Sequence, residues 1–190
     1  DYLPALTNLG YCYKYGIGVE RDYDKALECF RKAAEQGYPR AQFQLGEAYR
    51  RGFGVEEDDG EAVKWYQSAA WLGYPAAQTE LGRCLEFGTG IPENLEQAVK
   101  WYRTAADQGN APGQCCLGVC YESGRGVEQS WQEAVRWYQK AVNAGSAPAM
   151  CDLGVCYERG EGVPQSYERA AEMYRKAAEG GNPAGQWNRG

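Results

Sequence analysis

The sequence predicts an all-α array of stacked helix-loop-helix units, and three periodic features predict it. The dipeptide Leu-Gly recurs at Leu9-Gly10, Leu45-Gly46, Leu81-Gly82, Leu117-Gly118 and Leu153-Gly154, each copy 36 residues after the last. Glycine pairs keep the same step, at Gly16/Gly18, Gly52/Gly54, Gly88/Gly90, Gly124/Gly126 and Gly160/Gly162, each followed by Val or Ile. So do an alanine (Ala26, Ala62, Ala98, Ala134, Ala170), an aromatic ring (Phe30, Tyr66, Tyr102, Tyr138, Tyr174) and a closing glycine (Gly37, Gly73, Gly109, Gly145, Gly181). A fixed period kept without insertion or deletion marks a repeat architecture, whose units stack on their neighbours rather than around one deep core. The units fall near residues 3–37, 39–73, 75–109, 111–145 and 147–181, with a partial helix over 183–190, and make the 190 residues one array.

Within a unit the first element is a helix, here called A. In the second unit Ala41, Leu45, Ala48 and Tyr49 follow one another at three- and four-residue steps, which puts them on one side of an α-helix. The run Arg51-Gly52-Phe53-Gly54-Val55 stops it, because glycine takes the left-handed conformation that ends a helix. The chain then turns back into a second helix, B.

Helix B starts at Asp22, Asp58, Asn94, Ser130 and Ser166 in the five copies, all short side chains that accept hydrogen bonds from unpaired first-turn amides. Glu or Gln follows three residues on in Asp58/Glu61, Asn94/Gln97 and Ser130/Glu133, close to a capping box. The stripe Trp131, Ala134, Val135, Tyr138, Ala141 and Val142 runs at helical spacing and should face helix A. Gly46 beside Leu45, and Ala62 on the inward side of helix B, should let the two backbones approach at the short end of the usual interaxial distance.

These residues resemble the Sel1-like repeat family, relatives of tetratricopeptide repeats, whose pattern reads Ala-x-x-x-Leu-Gly-x-x-Tyr, then Gly-x-Gly-Val, then Ala-x-x-x-Tyr-x-x-Ala-Ala-x-x-Gly. In the second unit Ala41, Leu45, Gly46, Tyr49, Gly52, Gly54, Val55, Ala62, Tyr66, Ala69, Ala70 and Gly73 carry it. Leu85 replaces the helix A tyrosine, Ile91 the valine and Val142 the second alanine. The resemblance implies a right-handed α-solenoid, with A helices lining a concave side and B helices on the convex side. It also implies an adaptor or scaffold, a reading by family likeness.

Composition narrows the classes. No apolar run approaches the length of a membrane helix, so membrane insertion is not expected. A net charge of -6 argues against nonspecific nucleic-acid binding. The chain opens at Leu3-Pro4-Ala5-Leu6 and closes on Asn182-Pro183-Ala184-Gly185-Gln186-Trp187, inside A helices that lack a polar cap. A slice of a longer array is expected, and homo-association through uncapped ends becomes an alternative to partner binding.

With no histidine among 190 residues, Ser-His and Cys-His nucleophile pairs are excluded, and no phosphate loop, dinucleotide fingerprint or zincin motif is present. No catalytic residue, cofactor or metal is expected. A hydrolase akin to cysteine-rich relatives remains only a remote alternative. Of eight cysteines, Cys12, Cys84, Cys120 and Cys156 share one repeat position, where the resemblance implies a small buried residue facing helix B. Cys115, Cys116 and Cys151 lie outside it. Without histidine or regular cysteine pairing, neither a metal site nor disulfide staples are expected, which favours a reducing, cytoplasmic compartment.

By resemblance to tetratricopeptide units, the lining of the concave groove comes from A-helix positions two before, two after and five or six after the leucine. Here those are Tyr11, Lys14 and Tyr15; Phe43, Glu47, Arg50 and Arg51; Thr79, Arg83, Glu86 and Phe87; Cys115, Val119, Glu122 and Ser123; Cys151, Val155, Glu158 and Arg159. Arg40 is a further candidate cation. The N-terminal half joins aromatics to arginines, the composition of interface hot spots, and suits a peptide with an apolar anchor and an acidic neighbour.

Overall fold

The structure, a computed structural model, describes residues 2–180. Ten helices occur among them: α1 (Tyr2–Tyr15), α2 (Tyr23–Ala34), α3 (Pro39–Arg51), α4 (Asp59–Trp71), α5 (Pro75–Phe87), α6 (Leu95–Asp107), α7 (Ala111–Ser123), α8 (Trp131–Asn143), α9 (Ala147–Arg159) and α10 (Tyr167–Glu179). Odd-numbered helices are the A helices and even-numbered ones the B helices. Residues 1–94 and 95–190 form two compact units. In the first, α1 to α5 each pack on the next; in the second, α6 to α10 do the same. No described helix is long and apolar enough to cross a membrane. The partial helix expected over 183–190 and the closing Gly181 lie outside the described residues.

Local signals act where the sequence places them. The side chains of Asp22, Asp58, Ser130 and Ser166 accept hydrogen bonds from the backbone N–H groups of Lys25, Glu61, Glu133 and Arg169. Ser130→Ala is expected to cost about 1 kcal/mol, read as a lower urea midpoint with helicity retained. The A helices α3, α5, α7 and α9 end on Gly52, Gly88, Gly124 and Gly160, all left-handed with φ between 65 and 73°. The same linker bond recurs in every unit: the N–H that opens helix B, from Asp22 to Ser166, donates to the carbonyl of Tyr13, Tyr49, Leu85, Tyr121 or Tyr157 in helix A. This bond sets the antiparallel return.

Three glutamines do a task that the spacing alone did not reveal. Buried Gln42, Gln78 and Gln114 donate from Nε2 to the carbonyls of Ala34, Ala70 and Ala106, at 3.1–3.2 Å. Those carbonyls belong to the last turn of the preceding helix B, where intrahelical donors run out. Each glutamine thus ties one repeat to the next.

The core is small-residue rich. Leu45, Leu81, Leu117 and Leu153 are buried with Tyr66, Tyr102 and Tyr138, whereas Leu9 is exposed, since no helix precedes α1 among the described residues. Trp137, which the stripe reading left out, is buried as well. The Leu-Gly glycine has a sharper purpose than general backbone approach. A Cβ on Gly10, Gly46, Gly118 or Gly154 would lie 2.5–2.7 Å from a ring carbon of Phe30, Tyr66, Tyr138 or Tyr174. The repeated ring of helix B lies directly against bare helix A backbone.

From the second repeat on, the second glycine of the Gly-x-Gly pair packs against the previous helix B, Gly54 against Leu27 and Tyr23, whereas Gly18 has nothing within 4 Å. A Cβ on Gly90, Gly126 or Gly162 would come within 2.2–2.5 Å of the carbonyl oxygen of Asp59, Leu95 or Trp131, in the first turn of the previous helix B. Backbone meets backbone there, so the residue must lack a side chain.

Candidate interaction surface

On the A helices of residues 1–94, neighbouring helices are joined by side chains one residue before the leucine. Gln44 Oε1 accepts from Lys14 Nζ at 2.9 Å, and Asn8 Oδ1 from an Arg40 terminal nitrogen at 3.5 Å, both between α1 and α3. Arg40 also sits over the Tyr11 ring at 4.6 Å. Lys14 lies over the rings of Tyr15 and Phe53. Burial pulls its ammonium below the ordinary lysine range, with Glu47 opposing and Arg51 adding to the effect.

Glu47 is the hub of α3. It is only 8% exposed and accepts from the Tyr66 hydroxyl at 2.6 Å, from Arg50 at 3.2 Å and from Arg51 at 2.9 Å. Burial, then the Glu47 hydrogen bond, pushes the Tyr66 phenol far above its usual range. Arg50 donates to Tyr66 as well; burial is the largest single influence on its guanidinium and works against the charge, but Glu47, Tyr66 and Glu80 together outweigh it and hold the group protonated. Phe43 packs between Tyr66 and Tyr74. On α5, Arg83 stands 3.9 Å from Glu80, and Glu86 and Thr79 are buried. Tyr15 and Phe87, near the C-terminal ends of α1 and α5, are exposed rings, 60 and 64% accessible.

In residues 95–190 the same tyrosine is served from another position. Tyr138 donates to Glu122 at 2.5 Å and Tyr174 to Glu158 at 2.6 Å, each acceptor five residues after its leucine. Cys115 on α7 donates its thiol to Asp152 Oδ2 on α9 at 3.4 Å, which joins these two A helices. Burial raises the Asp152 carboxyl, the Cys115 bond opposes this, and Glu122 adds to the rise. A folded pKa above the unfolded one favours folding at low pH and is a cost once pH has risen through it. Asp152→Asn should therefore raise the melting temperature at pH 7, with the gain shrinking as pH falls through the carboxylate range. Val119 is 40% exposed, Val155 partly covered, and Ser123, Glu158 and Arg159 exposed.

The structure thus distributes the sequence-predicted lining. Tyr15, Arg51, Arg83, Phe87, Val119, Glu158 and Arg159 are open to solvent; Tyr11, Phe43, Arg50, Glu122 and Val155 are partly covered; Glu47 and Glu86 are buried. Asp152, Gln44 and Asn8 were missed, although a run of polar residues directly before the leucine (Asn8, Gln44, Glu80, Asp152) was there to be read.

The cysteines at the shared position divide similarly: Cys84, Cys120 and Cys156 are buried, Cys12 partly so. Burial, reinforced by Glu80 and Glu122 respectively, pushes the Cys84 thiol up to about 11 and Cys156 up to about 12, so both stay protonated and unreactive. None of the eight is in a disulfide, and among the described residues no cluster of Cys, Asp and Glu is placed to hold a metal ion.

Comparison with known proteins places this arrangement. The family described as Sel1 repeat matches residues 3–38, 39–74, 75–110, 111–146 and 147–182. The chain is similar to the crystal structure of c5321, described as a protective antigen present in uropathogenic Escherichia coli strains and displaying an SLR fold. Identity is 40% and TM-score 0.88, over 98% of this chain but only 40% of that one. A Sel1 repeat protein from Oxalobacter formigenes is 35% identical, with TM-score 0.90 over 96% of this chain and 73% of that one. Immunity protein Pa5087 from Pseudomonas aeruginosa, 24% identical with TM-score 0.67, covers 97% and 68% and shares the fold. No curated protein sequence matches significantly.

Proposed function

Because the chain belongs to the Sel1 repeat family, an α-solenoid fold of paired helices, we propose that it works as a protein-binding repeat module, with its A-helix faces as docking surfaces for a peptide or protein partner. One observation carries this reading. On α1 and α5 the positions that follow the leucine by six place Tyr15 and Phe87 in solvent, and Arg51 on α3 and Arg83 on α5 are exposed too. Large rings and arginines are the residue types that dominate binding energy at interfaces. The α7 and α9 faces offer a second surface, with Val119 exposed on helices that also carry Glu122, Asp152 and Glu158. The E. coli and Oxalobacter structures carry descriptions, a protective antigen and a repeat protein, that name no reaction, and the sequence holds no histidine for nucleophile activation. Both support a binding role over a catalytic one.

A photo-crosslinking residue placed at Tyr15 or Phe87, and in parallel at exposed Lys64 or Arg136 on B helices, tests it in extract of the source cells. Capture of a discrete protein only from the A-helix positions is the expected result. Equal capture from both sets, or capture from the B helices alone, refutes the assignment. Tyr15→Ser with Phe87→Ser should weaken that complex by about 2 kcal/mol or more while circular dichroism stays unchanged. Light scattering over a concentration series addresses self-association: a docking module keeps a constant mass, and growth with concentration returns the structural reading.

A further inference from the structure

The five repeats serve as their own alignment, and they disagree at one A-helix position. Five residues after the leucine stand Glu122 and Glu158 in the last two repeats, each accepting its repeat's tyrosine hydroxyl. In the second repeat Glu47 takes over that duty from a position three residues earlier, and the vacated place is Arg50. In the first, the ring is Phe30, which has no hydroxyl, and the place is Lys14. Cations thus occupy the first two repeats where carboxylates, Glu86, Glu122 and Glu158, occupy the last three.

The imbalance extends over the helices. On α1, α3 and α5 there are five cations and three carboxylates; on α7 and α9 there are one cation and three carboxylates. This is a local excess within a chain of net charge -6. Glu47 alone faces two guanidiniums, and Arg51 remains 52% exposed while bonded to it. Charge is continuous across the face: Lys14 senses Arg51 and Glu47, Arg50 senses Glu80, and Glu80 stands beside Arg83. Exposed Tyr15 borders Lys14 at one side, and Phe87 lies one turn beyond Arg83 at the other.

We propose that the partner of the α1, α3 and α5 face is an acidic peptide segment whose carboxylates meet Arg51 and Arg83 and whose apolar side chain rests on Tyr15 or Phe87; this rests on the docking role above. Charge complementarity selects the peptide. A single-stranded nucleic acid is the other polyanion with a use for rings, but it needs open ring faces for base stacking. Here the Tyr11 face is covered by Arg40 and by stacking with Tyr15, and Phe43 is packed by two tyrosines, so the exposed rings Tyr15 and Phe87 stand on separate helices, α1 and α5, without the row of ring faces on which successive bases stack. Glu47, Glu80 and Glu86 also interrupt the cations, which opposes a phosphate at every step but admits a peptide with spaced acids.

The test uses the whole chain and three fluorescent peptides of one design, Phe residues separated by Glu, by Gln or by Lys, together with an oligouridine. Expected at low salt is binding of the Glu peptide at least about tenfold tighter than the Gln peptide, an advantage that narrows with added salt as screening sets in. Arg51→Glu with Arg83→Glu should invert the preference towards the Lys peptide with helicity unchanged, whereas Val155→Ser on α9 should alter nothing. Equal binding of the Glu and Gln peptides, tighter binding of the Lys peptide by the parent chain, or tighter binding of oligouridine overturns the inference. If the Glu and Gln peptides bind equally and both are lost on Tyr15→Ser with Phe87→Ser, the docking face stands and its acid selectivity falls. Absence of binding by every peptide at millimolar concentration also overturns it, and the crosslinking experiment then decides the docking role separately.

Discussion

Gly118→Leu is expected to destabilise the α7–α8 pair by more than about 2 kcal/mol through overpacking. The Tyr138 ring stands where the new side chain must go, with its Cε1 and Cδ1 carbons 2.5 and 2.6 Å from the position a Cβ would take. That ring cannot step aside cheaply, because it is fully buried and its hydroxyl is bonded to Glu122. Gly118→Ala is the sharper variant. Alanine is the better helix former by about 0.8–1 kcal/mol, so a helix without a close neighbour would gain stability from it. Thermal unfolding followed by circular dichroism should instead show a lower melting temperature for alanine and a much lower one for leucine. Combining Gly118→Leu with Tyr138→Ala should recover part of the loss, since the two changes exchange volume at one contact. A melting temperature for Gly118→Ala at or above that of the parent would refute the ring-on-backbone packing.

Gly126→Ala is the second large effect, and Gly145→Ala is its control. Both glycines are left-handed, with φ of 73 and 84°. An alanine at either carries the conformational cost of that region, on the order of 1–2 kcal/mol. Only at Gly126 would the Cβ also meet backbone, 2.5 Å from the Leu95 carbonyl oxygen; at Gly145 nothing lies within 4 Å. The difference between the variants in urea therefore isolates the seam between successive repeats. Gly126→Ala is expected to lose at least about 2 kcal/mol more than Gly145→Ala, a size reserved for steric conflict in packed regions. Because repeat arrays unfold as coupled neighbours, its transition should also broaden. Equal losses would show that the seam can give way.

These two glycines show where the sequence was legible. Helix ends were, because caps and stops act within a few residues: Ser130 reaches Glu133, and Gly124 ends α7 from its own left-handed backbone. The partners of a turn were not. Gly126 reads like any other helix breaker, and only the fold reveals that its missing side chain makes room for Leu95 in the preceding helix B. The same limit applies to Gln114, whose bond to Ala106 crosses from one repeat to the next.

For the candidate surface, family likeness offered positions two before, two after and five or six after the leucine. It passed over the one before it, where Gln44 and Asp152 reach the adjacent A helix. Nor did it foresee that the acceptor for the buried hydroxyl moves from Glu122 to Glu47 between repeats. A moving acceptor leaves no fixed column to detect.

The exchange of Tyr for Phe30 beside Lys14 bears on how such a module acquires a new preference. One oxygen atom on helix B dictates whether helix A must supply an anion. Delete it, and a residue across the pair is released to carry any sign of charge without orphaning a buried phenol. An engineer retargeting one repeat should begin with the ring and only then rewrite the face.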